Sequence, residues 1–336
     1  MIKGVILLKL MKEKNVVIFG GSGFIGTHLT RFLLQHRLAS KIYCIDLQEP
    51  SVDGKKIVFI RHDLRKPFVQ EIQFVETIYN LAAVHTTPGH ADEEYYETNI
   101  LAAQHVCDFA RIVAINTIAF TSSISPYGTS EEFKEEDSIP QPTSAYGSSK
   151  IVAEYIHRCW LAESNQRRLA ILRPGVVYGQ GEGGNFTRLY DGLKGRYFFY
   201  PGRKDTRKAC IYVKDLVRAI YDMTQDGERF KLFNMCYAEA PTIEEIVEAF
   251  VKVTRVPRPL LVIPGGLMTA LTRVVLLIVG NSATRSAGIH PDRVRKLMIS
   301  TNIGGKKLAE SPYAPRYTLQ EAIADWYQSC NGQGLF

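Results

Sequence analysis

Short apolar runs alternate with amphipathic stretches through the first half of the chain. Each run is rich in aliphatic and aromatic residues, which is typical of strands that are buried on both faces. The stretches between them include residues 97–110 and 145–163, where apolar positions recur with helical spacing. This alternation predicts an α/β fold with a Rossmann-type doubly wound parallel sheet. The apolar runs are residues 16–19, 41–45, 57–60, 77–81, 117–121 and 169–172.

A glycine-rich turn follows the first apolar run and leads into a predicted helix. Its glycines are Gly20, Gly23 and Gly26, and Phe24 and Ile25 open the helix. Such a turn presents unpaired backbone N–H groups and the positive end of a helix dipole to a pyrophosphate, and glycines let the backbone approach it closely. We therefore expect these five residues to bind a dinucleotide.

Asp46 ends the second predicted strand, about 20 residues after the glycine turn. A carboxylate at that place accepts hydrogen bonds from the adenosine ribose hydroxyls and repels a 2′-phosphate. The following Leu47 and Gln48 supply no arginine for such a phosphate. The expected cofactor is therefore NAD. The alternative for Asp46 is a solvated loop aspartate.

Tyr146 and Lys150 are spaced i, i+4 in the helix predicted over residues 145–163, so their side chains share one face. A free tyrosine has a pKa of about 10, and a nearby ammonium group and a positive nicotinamide would lower it enough for the phenol to act as a base. Ser123 follows the strand predicted at 117–121 and can hydrogen-bond a substrate oxygen and the tyrosine. These three are the candidate catalytic residues. Tyr146 and Lys150 are also expected to bind the cofactor, and Ser123 and Tyr146 the substrate.

The regular alternation ends near residue 180, where glycine-rich and aromatic segments take over. Shorter helices are predicted there at residues 242–253 and 319–328. The expected parts of the chain are an N-terminal extension at 1–14, an NAD-binding Rossmann domain at 15–180, and a smaller, mainly substrate-binding α/β domain at 181–330, with part of 205–240 returning to the Rossmann sheet.

The composition is that of an ordinary globular chain, with 336 residues, 46% of them hydrophobic and 22% charged. The six cysteines are scattered without a C-x-x-C pair, and no histidine stands at metal-ligand spacing. No disulfide framework and no metal site are therefore predicted, and a reducing, cytoplasmic compartment is expected. Residues 1–14 hold an apolar run too short for a signal peptide or a membrane span, and Met11 is an alternative start.

Residues 259–280 are rich in Leu, Val and Ile but are broken by proline, glycine and arginine, so a spanning helix is not expected. Between Lys252 and Lys307 ten basic residues stand against one acidic residue, Asp292, although the net charge of the whole chain is only +7. An apolar segment in basic surroundings suits the anionic inner face of a membrane or a lipid-diphosphate substrate. The alternative is a buried core helix with solvated flanking charges. No nucleic-acid partner is expected, because no recognition motif is present.

Longer motifs accompany these residues at 62–64, 80–83, 122–128, 172–179 and 212–215. With the glycine turn and the Tyr-x-x-x-Lys pair, they resemble the extended branch of the short-chain dehydrogenase/reductase superfamily, the NAD-dependent epimerase/dehydratase family, over nearly the whole chain. Within that branch the chain is similar to membrane-associated polyprenyl-diphosphate N-acetylglucosamine 4-epimerases. The residues that carry this second similarity are 184–185, 189, 293–296 and 314–319.

The resemblance implies roles for further residues. The implied cofactor contacts are Asp63 and Leu64 at the adenine, Ala82 and Ala83 at the wall of the cleft, Asn99 nearby, and Pro174 and Val176 against the nicotinamide. The implied substrate contacts are His85, Asn185 and Lys208, the lysine as a ligand of the diphosphate with Arg207 as its substitute. A capping role is the alternative for Asp63 and Asn99, and an exposed loop position is the alternative for Lys208.

The residues after Ser123 narrow the reaction. Dehydratases of the resembled family carry an Asp-Glu pair there, whereas this chain has Ile124 and Ser125. The resemblance therefore implies an NAD-dependent 4-epimerase of a diphosphate-linked hexose or N-acetylhexosamine, with a nucleotide or a polyprenol as the carrier. The enzymatic alternative is an NAD-dependent dehydrogenase or ketoreductase of a sugar or sterol-like alcohol. A cofactor-sensing regulatory protein is the alternative of another class.

The helices predicted at 97–110 and 145–163 carry apolar residues beyond one face. One apolar stripe would pack on the sheet, and the surplus predicts a second partner. In the resembled branch the corresponding helices form an interface between two subunits, so a homodimer is expected. The alternative is that all of these residues are buried in one core. They are Ile100, Leu101, Val106, Phe109, Ile151, Val152, Tyr155, Ile156, Trp160 and Leu161.

Overall fold

The computed structural model of the protein describes residues 14–86, 89–267 and 298–336. Residues 1–13 of the predicted extension, with the alternative start at Met11, lie outside these residues, as do positions 268–280 of the apolar segment. The strands of the described part are β1 (Asn15–Phe19), β2 (Ile42–Asp46), β3 (Ile57–Arg61), β4 (Val75–Asn80), β5 (Thr117–Thr121), β6 (Ser130–Lys134), β7 (Arg168–Pro174), β8 (Val176–Tyr178), β9 (Tyr200–Pro201), β10 (Cys210–Tyr212), β11 (Phe230–Met235), β12 (Val262–Ile263) and β13 (Thr301–Ile303). Its α-helices are α1 (Phe24–Gln35), α2 (Asp92–Ile112), α3 (Ala145–Ala162), α4 (Asn185–Lys194), α5 (Val213–Asp222), α6 (Ile243–Thr254), α7 (Lys306–Ala309) and α8 (Leu319–Ser329).

Seven strands form the main sheet, in the order β11-β7-β5-β4-β1-β2-β3. All pairings from β7 to β3 are parallel. The chain winds outward from β1 in both directions, so the strand order reverses there. The predicted Rossmann-type doubly wound α/β fold is therefore confirmed. Every residue of β1 and β5 is buried, which explains why both appear in the sequence as continuous apolar runs.

The chain divides into two units. The first contains the residues up to Pro126, Pro140–Arg173 and Leu216–Phe233, and it holds most of the main sheet with α1, α2 and α3. The second contains Tyr127–Ile139, Pro174–Asp215 and the residues from Asn234 onward. No helix of the described residues combines the length and the apolar character needed to cross a membrane.

The core of the first unit lies between the sheet and the helices α2 and α3, which pack against each other. Phe19 of β1 meets Phe109 of α2 edge to face, with 5.8 Å between the ring centroids. The apolar residues that the sequence pattern singles out on the two helices divide into three groups. The first group faces this core and is buried: Val106, Phe109, Trp160 and Leu161. The second group is exposed: Leu101, Val152 and Tyr155. The third group is partly buried: Ile100, Ile151 and Ile156.

The second unit is built from three small two-stranded parallel sheets with α4, α6, α7 and α8. The helices α6 and α8 each begin with a capping box, formed by Thr242 with Glu245 and by Thr318 with Glu321. Aromatic residues fill the core, where the rings of Tyr178 and Phe186 stack 4.3 Å apart. The sequence pattern does not predict β6 and β13, because neither contains an apolar run.

Candidate active site

The glycine turn closes tightly against the end of β4. Gly20 has a φ of +77°, and a Cβ atom there would lie 2.7 Å from the backbone nitrogen of Ala82. A Cβ atom on Gly26 would lie 2.6 Å from the Cα atom of Gly21. Gly23 caps α1 without a side chain, so no side-chain group bonds to the first amides of the helix, where Phe24 and Ile25 lie. This cradle fits the pyrophosphate of a dinucleotide.

Asp46 lies at the end of β2, beside the glycine turn. Its carboxylate accepts hydrogen bonds from the backbone nitrogen of Ser22 at 3.0 Å and from that of Leu47 at 2.7 Å. Ser22 in turn donates its hydroxyl to the carbonyl oxygen of Gln48 at 2.6 Å. The structure therefore brings the aspartate and the turn together, in the arrangement that a ribose adjoining a pyrophosphate requires.

Asp63 and Leu64 follow β3, in the first unit. The Asp63 carboxylate binds the Arg65 guanidinium at 2.6 Å and also accepts the Arg65 backbone N–H at 3.0 Å. This hydrogen bonding lowers the pKa of Asp63 to about 2. Leu64 is buried, and its carbonyl oxygen lies 2.8 Å from Nδ1 of His105. The local turn at Asp63 uses both of its carboxylate oxygens.

Asn99 of α2 connects the loop after β4 with α3. Its side-chain oxygen accepts from the backbone nitrogen of Val84 at 2.8 Å, and its Nδ2 donates to the carbonyl oxygen of Val84 at 3.1 Å and to the hydroxyl of Ser149 at 2.9 Å. The preceding Ala82 and Ala83 are partly buried. Asn99 thus supports the backbone of the loop that carries the two alanines.

His85 lies two residues beyond Ala83 in the same loop. Its side chain is exposed, and partial desolvation lowers the pKa of its imidazole, with the charge of Lys150 contributing in the same direction. A neutral imidazole at neutral pH can both donate and accept a hydrogen bond. His85 is therefore close enough to Lys150 to share its electrostatic surroundings.

Four predicted site residues belong to the second unit. Pro174 ends β7, Val176 begins β8, and Asn185 is exposed at the start of α4. Lys208 is partly buried rather than exposed on a loop, and its Nζ donates to the carbonyl oxygen of Ile299 at 2.8 Å. Burial lowers the pKa of Lys208 to about 8.

Ser123, Tyr146 and Lys150 lie together at the carboxyl end of β5. The Ser144 hydroxyl, which accepts from the Gly147 backbone nitrogen at 3.2 Å, caps α3 and fixes where the helix begins. Tyr146 and Lys150 then stand one turn apart. The Ser123 hydroxyl donates to the Ser125 hydroxyl at 3.0 Å and accepts from the backbone nitrogen of Ser125 at 3.0 Å, and it lies close enough to the Tyr146 phenol to lower the pKa of that group.

The electrostatics of this group are dominated by burial. Desolvation raises the pKa of Tyr146 to about 12, although the nearby Ser123 hydroxyl acts in the opposite direction. Desolvation also lowers the pKa of Lys150 to about 7, and the nearby carboxylate of Glu154 opposes this effect. The Lys150 Nζ donates to the carbonyl oxygen of Thr121 at 2.7 Å and lies 4.4 Å from the centre of the Phe120 ring. In the protein alone, Tyr146 therefore keeps its proton at neutral pH.

Sequence reasoning missed a buried polar group next to these residues. Glu154 of α3 forms an ion pair with Arg173 of β7 at 2.7 Å, and the Ser122 hydroxyl donates to the same carboxylate at 2.6 Å. Two signals were available: an acidic residue one turn beyond Lys150, and an arginine at the end of an apolar strand.

The glycine turn forms a phosphate cradle, and an aspartate lies beside it at the end of β2. Serine, tyrosine and lysine side chains lie together at the end of β5. This combination defines a dinucleotide-dependent enzyme of the short-chain dehydrogenase/reductase class. The chain belongs to the NAD dependent epimerase/dehydratase family, whose model matches residues 16–236. This membership confirms the family predicted from the motifs, an NAD-dependent enzyme of the epimerase type, and NAD as the cofactor.

Three known proteins illustrate the similarity. The chain is 25% identical over 323 residues to the N-acetyl-alpha-D-glucosaminyl-diphospho-ditrans,octacis-undecaprenol 4-epimerase of Escherichia coli O157:H7, covering 92% of this chain and 93% of that protein. It is 26% identical over 199 residues to a decarboxylating sterol-4-alpha-carboxylate 3-dehydrogenase of Saccharomyces cerevisiae, covering 55% of this chain and 56% of that protein. The UDP-glucuronic acid 4-epimerase of Bacillus cereus, solved in complex with NAD, shares the fold with a TM-score of 0.70 and 19% identity, covering 94% of this chain and 99% of that one.

Proposed function

We propose that the protein is an NAD-dependent 4-epimerase of a diphosphate-linked hexose or N-acetylhexosamine, carried by a nucleotide or a polyprenol. The observation that carries the proposal is the group formed by Ser123, Tyr146 and Lys150 in the unit that holds the phosphate cradle. Ile124 and Ser125 occupy the places where the dehydratases of this family carry an acidic pair. Full-length similarity to the E. coli undecaprenol-linked 4-epimerase supports the substrate class.

In this proposal each catalytic residue has one task. Ser123 holds the 4-hydroxyl oxygen of the sugar, and Tyr146 takes its proton as the C4–H bond breaks and a 4-keto group forms. When bound, NAD would supply a reversible hydride acceptor beside C4. Tyr146 gives the proton back to the new hydroxyl group on the other face, so no proton and no electron is consumed overall. Lys150 supplies the positive charge that favours the phenolate.

The residues of the glycine turn and Asp46 would hold the cofactor through its pyrophosphate and its adenosine ribose. Asp63, Leu64, Ala82 and Ala83 would line its adenine side, and Pro174 and Val176 its nicotinamide side. Asn99 would act by supporting the loop at Val84. His85, Asn185 and Lys208 are the proposed substrate contacts, with Lys208 at the diphosphate. Lys208 can reach an anion only by leaving the carbonyl oxygen of Ile299 or by adding to that contact.

A membrane-linked carrier is supported by the described start of the apolar segment. Leu260 and Leu261 are 86% and 70% exposed, and Leu267 is also exposed. These exposed leucines suit the boundary of a lipid layer, and the Arg258 guanidinium near them forms an ion pair with Glu248 at 2.5 Å. Flotation with anionic and neutral vesicles tests the contact. A variant with both Leu260→Gln and Leu261→Gln should float less with anionic vesicles, and an unchanged flotation would contradict the contact.

The reaction is tested with purified protein and substrates carrying deuterium at C4. UDP-glucose, UDP-N-acetylglucosamine and a polyprenyl-diphosphate N-acetylglucosamine are incubated separately, and the sugar products are identified by NMR. We expect conversion to the galacto form with the deuterium retained at C4, because the hydride returns to the same carbon. Tyr146→Phe is the inactive control. Protein that holds NAD yet interconverts none of the three substrates would overturn the proposal.

A net dehydrogenase is the second candidate, since half of the chain is similar to a sterol dehydrogenase. The same experiment separates the two reactions. In a dehydrogenase the deuterium would appear in NADH, in stoichiometric amount, and the ketone would accumulate. Retention of the label at C4 through many turnovers would exclude it.

We also propose a homodimer through α2 and α3. Leu101, Val152 and Tyr155 are exposed apolar side chains on these helices, and Tyr155 is 69% exposed. Light scattering at micromolar concentration should give twice the mass of the chain, and Tyr155→Glu should shift the protein towards the monomer. A monomeric mass for the unchanged protein, with and without NAD, would contradict the dimer.

A further inference from the structure

The buried carboxylate of Glu154 lies one helical turn beyond Lys150. Tyr146, Lys150 and Glu154 therefore follow one another at i, i+4 and i+8 along one face of α3. Glu154 is 1% exposed, and Arg173, its ion-pair partner, is 3% exposed. Acidic and basic side chains are almost never buried to this degree unless they are paired.

The carboxylate is held by three hydrogen bonds. Its Oε1 accepts from the Ser122 hydroxyl at 2.6 Å and from Arg173 Nε at 2.8 Å, and its Oε2 accepts from the Arg173 terminal nitrogen at 2.7 Å. The contact with Arg173 is thus bidentate, which fixes the plane and the position of the carboxylate. Glu154 cannot turn towards or away from Lys150 without breaking these bonds.

The same bonds connect the three elements that position the proposed catalytic residues. Ser122 precedes Ser123 at the end of β5, and its backbone nitrogen donates to the carbonyl oxygen of Leu172 in β7 at 2.7 Å. Arg173 is the next residue of β7. Glu154 belongs to the helix of Tyr146 and Lys150. The carboxylate therefore links the strand end that carries the hydroxyl group to the helix that carries the phenol and the amine.

A buried ion pair of this kind contributes little to the net stability of a fold. The desolvation of two charges offsets most of their attraction, and well-packed apolar residues of similar size often replace such a pair at no cost. The place of this ion pair beside the three proposed catalytic residues is better explained by the negative charge that Glu154 provides near Lys150 and by the hydrogen bonds that fix the neighbouring elements.

The charged and polar groups around Lys150 come from four elements. From β5 they are the Thr121 carbonyl oxygen and the Phe120 ring, from the loop after β4 His85, and from α3 itself Glu154 and His157. Arg173 of β7 lies behind Glu154 as its ion-pair partner. Both histidines are neutral at neutral pH, because partial desolvation lowers the pKa of His85 and full burial lowers that of His157 to about 4. Among these groups Glu154 is the one that carries a negative charge at neutral pH.

We propose that Glu154, fixed by Arg173 and Ser122, is a positioning residue that keeps Lys150 charged and holds Ser123 in register with Tyr146. This inference rests on the proposed function only where it calls Ser123, Tyr146 and Lys150 catalytic, because the effect of Glu154 on the charge of Lys150 exists with or without a substrate. The surroundings support it: burial opposes the charged form of Lys150, and the Glu154 carboxylate favours that form.

The test replaces the carboxylate by its uncharged isostere, Glu154→Gln. The Lys150 titration is followed by NMR of protein labelled with [ε-¹³C]lysine, and its resonance is assigned by its loss in Lys150→Met. We expect the Lys150 midpoint to fall by about one pH unit or more, because an opposite charge within a helical turn has been removed. This readout needs no substrate, so it stands even if the proposed reaction fails.

Activity supplies the second readout. The high-pH limb of the kcat profile should move to lower pH in Glu154→Gln, with KM for the sugar nearly unchanged. Ser122→Ala is the matched control, since it removes one hydrogen bond to the carboxylate and leaves the charge in place. Its high-pH limb should stay where it is in the unchanged protein.

A double variant guards against simple unfolding. Glu154→Gln leaves Arg173 buried without its carboxylate, whereas Glu154→Gln with Arg173→Met removes both charges and should fold. The double variant should still show a lowered Lys150 midpoint, but by less than Glu154→Gln alone, because the Arg173 cation, which disfavours a charged Lys150, is removed together with the carboxylate. A Lys150 midpoint unchanged in the folded double variant would overturn the proposal. So would a loss of activity in Glu154→Gln that follows only the unfolded fraction, with no change in the pH profile.

Discussion

The glycine at the start of the turn gives a prediction in which two physical effects can be separated. Gly20→Ala places a Cβ atom at a φ of +77° and 2.7 Å from the backbone of Ala82. Gly227→Ala is the matched control, because Gly227 has a φ of +82° and no atom within 4 Å of its added Cβ. Both substitutions place a side chain at a similar positive φ, and only the first causes a steric overlap.

The expected magnitudes follow from these two geometries. A left-handed conformation costs a non-glycine residue about 1–2 kcal/mol, so Gly227→Ala should lower the free energy of unfolding by about that amount. The overlap at Gly20 involves backbone atoms that cannot rotate away, and overpacking of this kind adds about 1–3 kcal/mol. Gly20→Ala should therefore lose roughly twice as much stability as the control.

Chemical denaturation measures the stability of the two variants, and calorimetric titration measures their affinity for NAD. The displaced turn should weaken NAD binding by about tenfold or more in Gly20→Ala, which corresponds to about 1.4 kcal/mol, and Gly227→Ala should bind NAD as the unchanged protein does. Equal losses of stability in the two variants, together with equal affinity for NAD, would refute the reasoning.

Three further predictions concern the proposed site. Tyr146→Phe should leave NAD bound and lower kcat by at least about a hundredfold, because only the titrating oxygen is removed; steady-state kinetics that show substantial turnover would dismiss Tyr146 as the base. Asp46→Ala should lower the affinity for NAD by about tenfold and reduce the preference for NAD over NADP, because a charge-assisted contact to the ribose and the repulsion of the 2′-phosphate are both lost. Calorimetric titration with both cofactors measures these affinities, and unchanged values would reject the assignment of Asp46 to the ribose. Lys150→Met should alter how the free energy of unfolding depends on pH. In the unchanged protein the pKa of Lys150 is about 7 when folded and about 10.4 when unfolded. Between these pH values the unfolded chain binds more protons, so the free energy of unfolding of the unchanged protein rises with pH. The variant should lose that rise, and denaturation curves of the two proteins that run parallel across this range would contradict it.

The sheet could be predicted from the sequence because its strands are buried on both faces. The run at residues 117–121 coincides with β5, whereas the helix predicted from residue 97 begins five residues earlier, at Asp92. The first turn of α2 is acidic and carries no apolar pattern, so periodicity does not register it. Strand β6 pairs with β13, more than 160 residues away in the chain, and such pairing leaves no local signal.

The candidate site was predictable where spacing alone brings residues together. The i, i+4 spacing places Tyr146 beside Lys150, and the length of the first βαβ unit, from β1 to the end of β2, places Asp46 beside the glycine turn. The partners of Glu154 could not be predicted in the same way, because Ser122 and Arg173 come from two different strands. The protonation states could not be predicted either, since the number of nearby charges can be read from a sequence but the depth of burial cannot.

Burial changes the expected relation between the tyrosine and the lysine. From the sequence, a cation one turn away lowers the pKa of a phenol. In the folded protein desolvation acts on both groups at once, raising the pKa of Tyr146 to about 12 and lowering that of Lys150 to about 7. Both effects favour the neutral pair, so forming a phenolate next to an ammonium costs several kcal/mol before any ligand binds. In the proposed mechanism the base would therefore be generated by the positive charge of a bound nicotinamide and by the nearby Ser123 hydroxyl. The Glu154 carboxylate opposes the loss of charge at Lys150, and removing it should widen the range of pH in which the lysine is neutral and the site is idle.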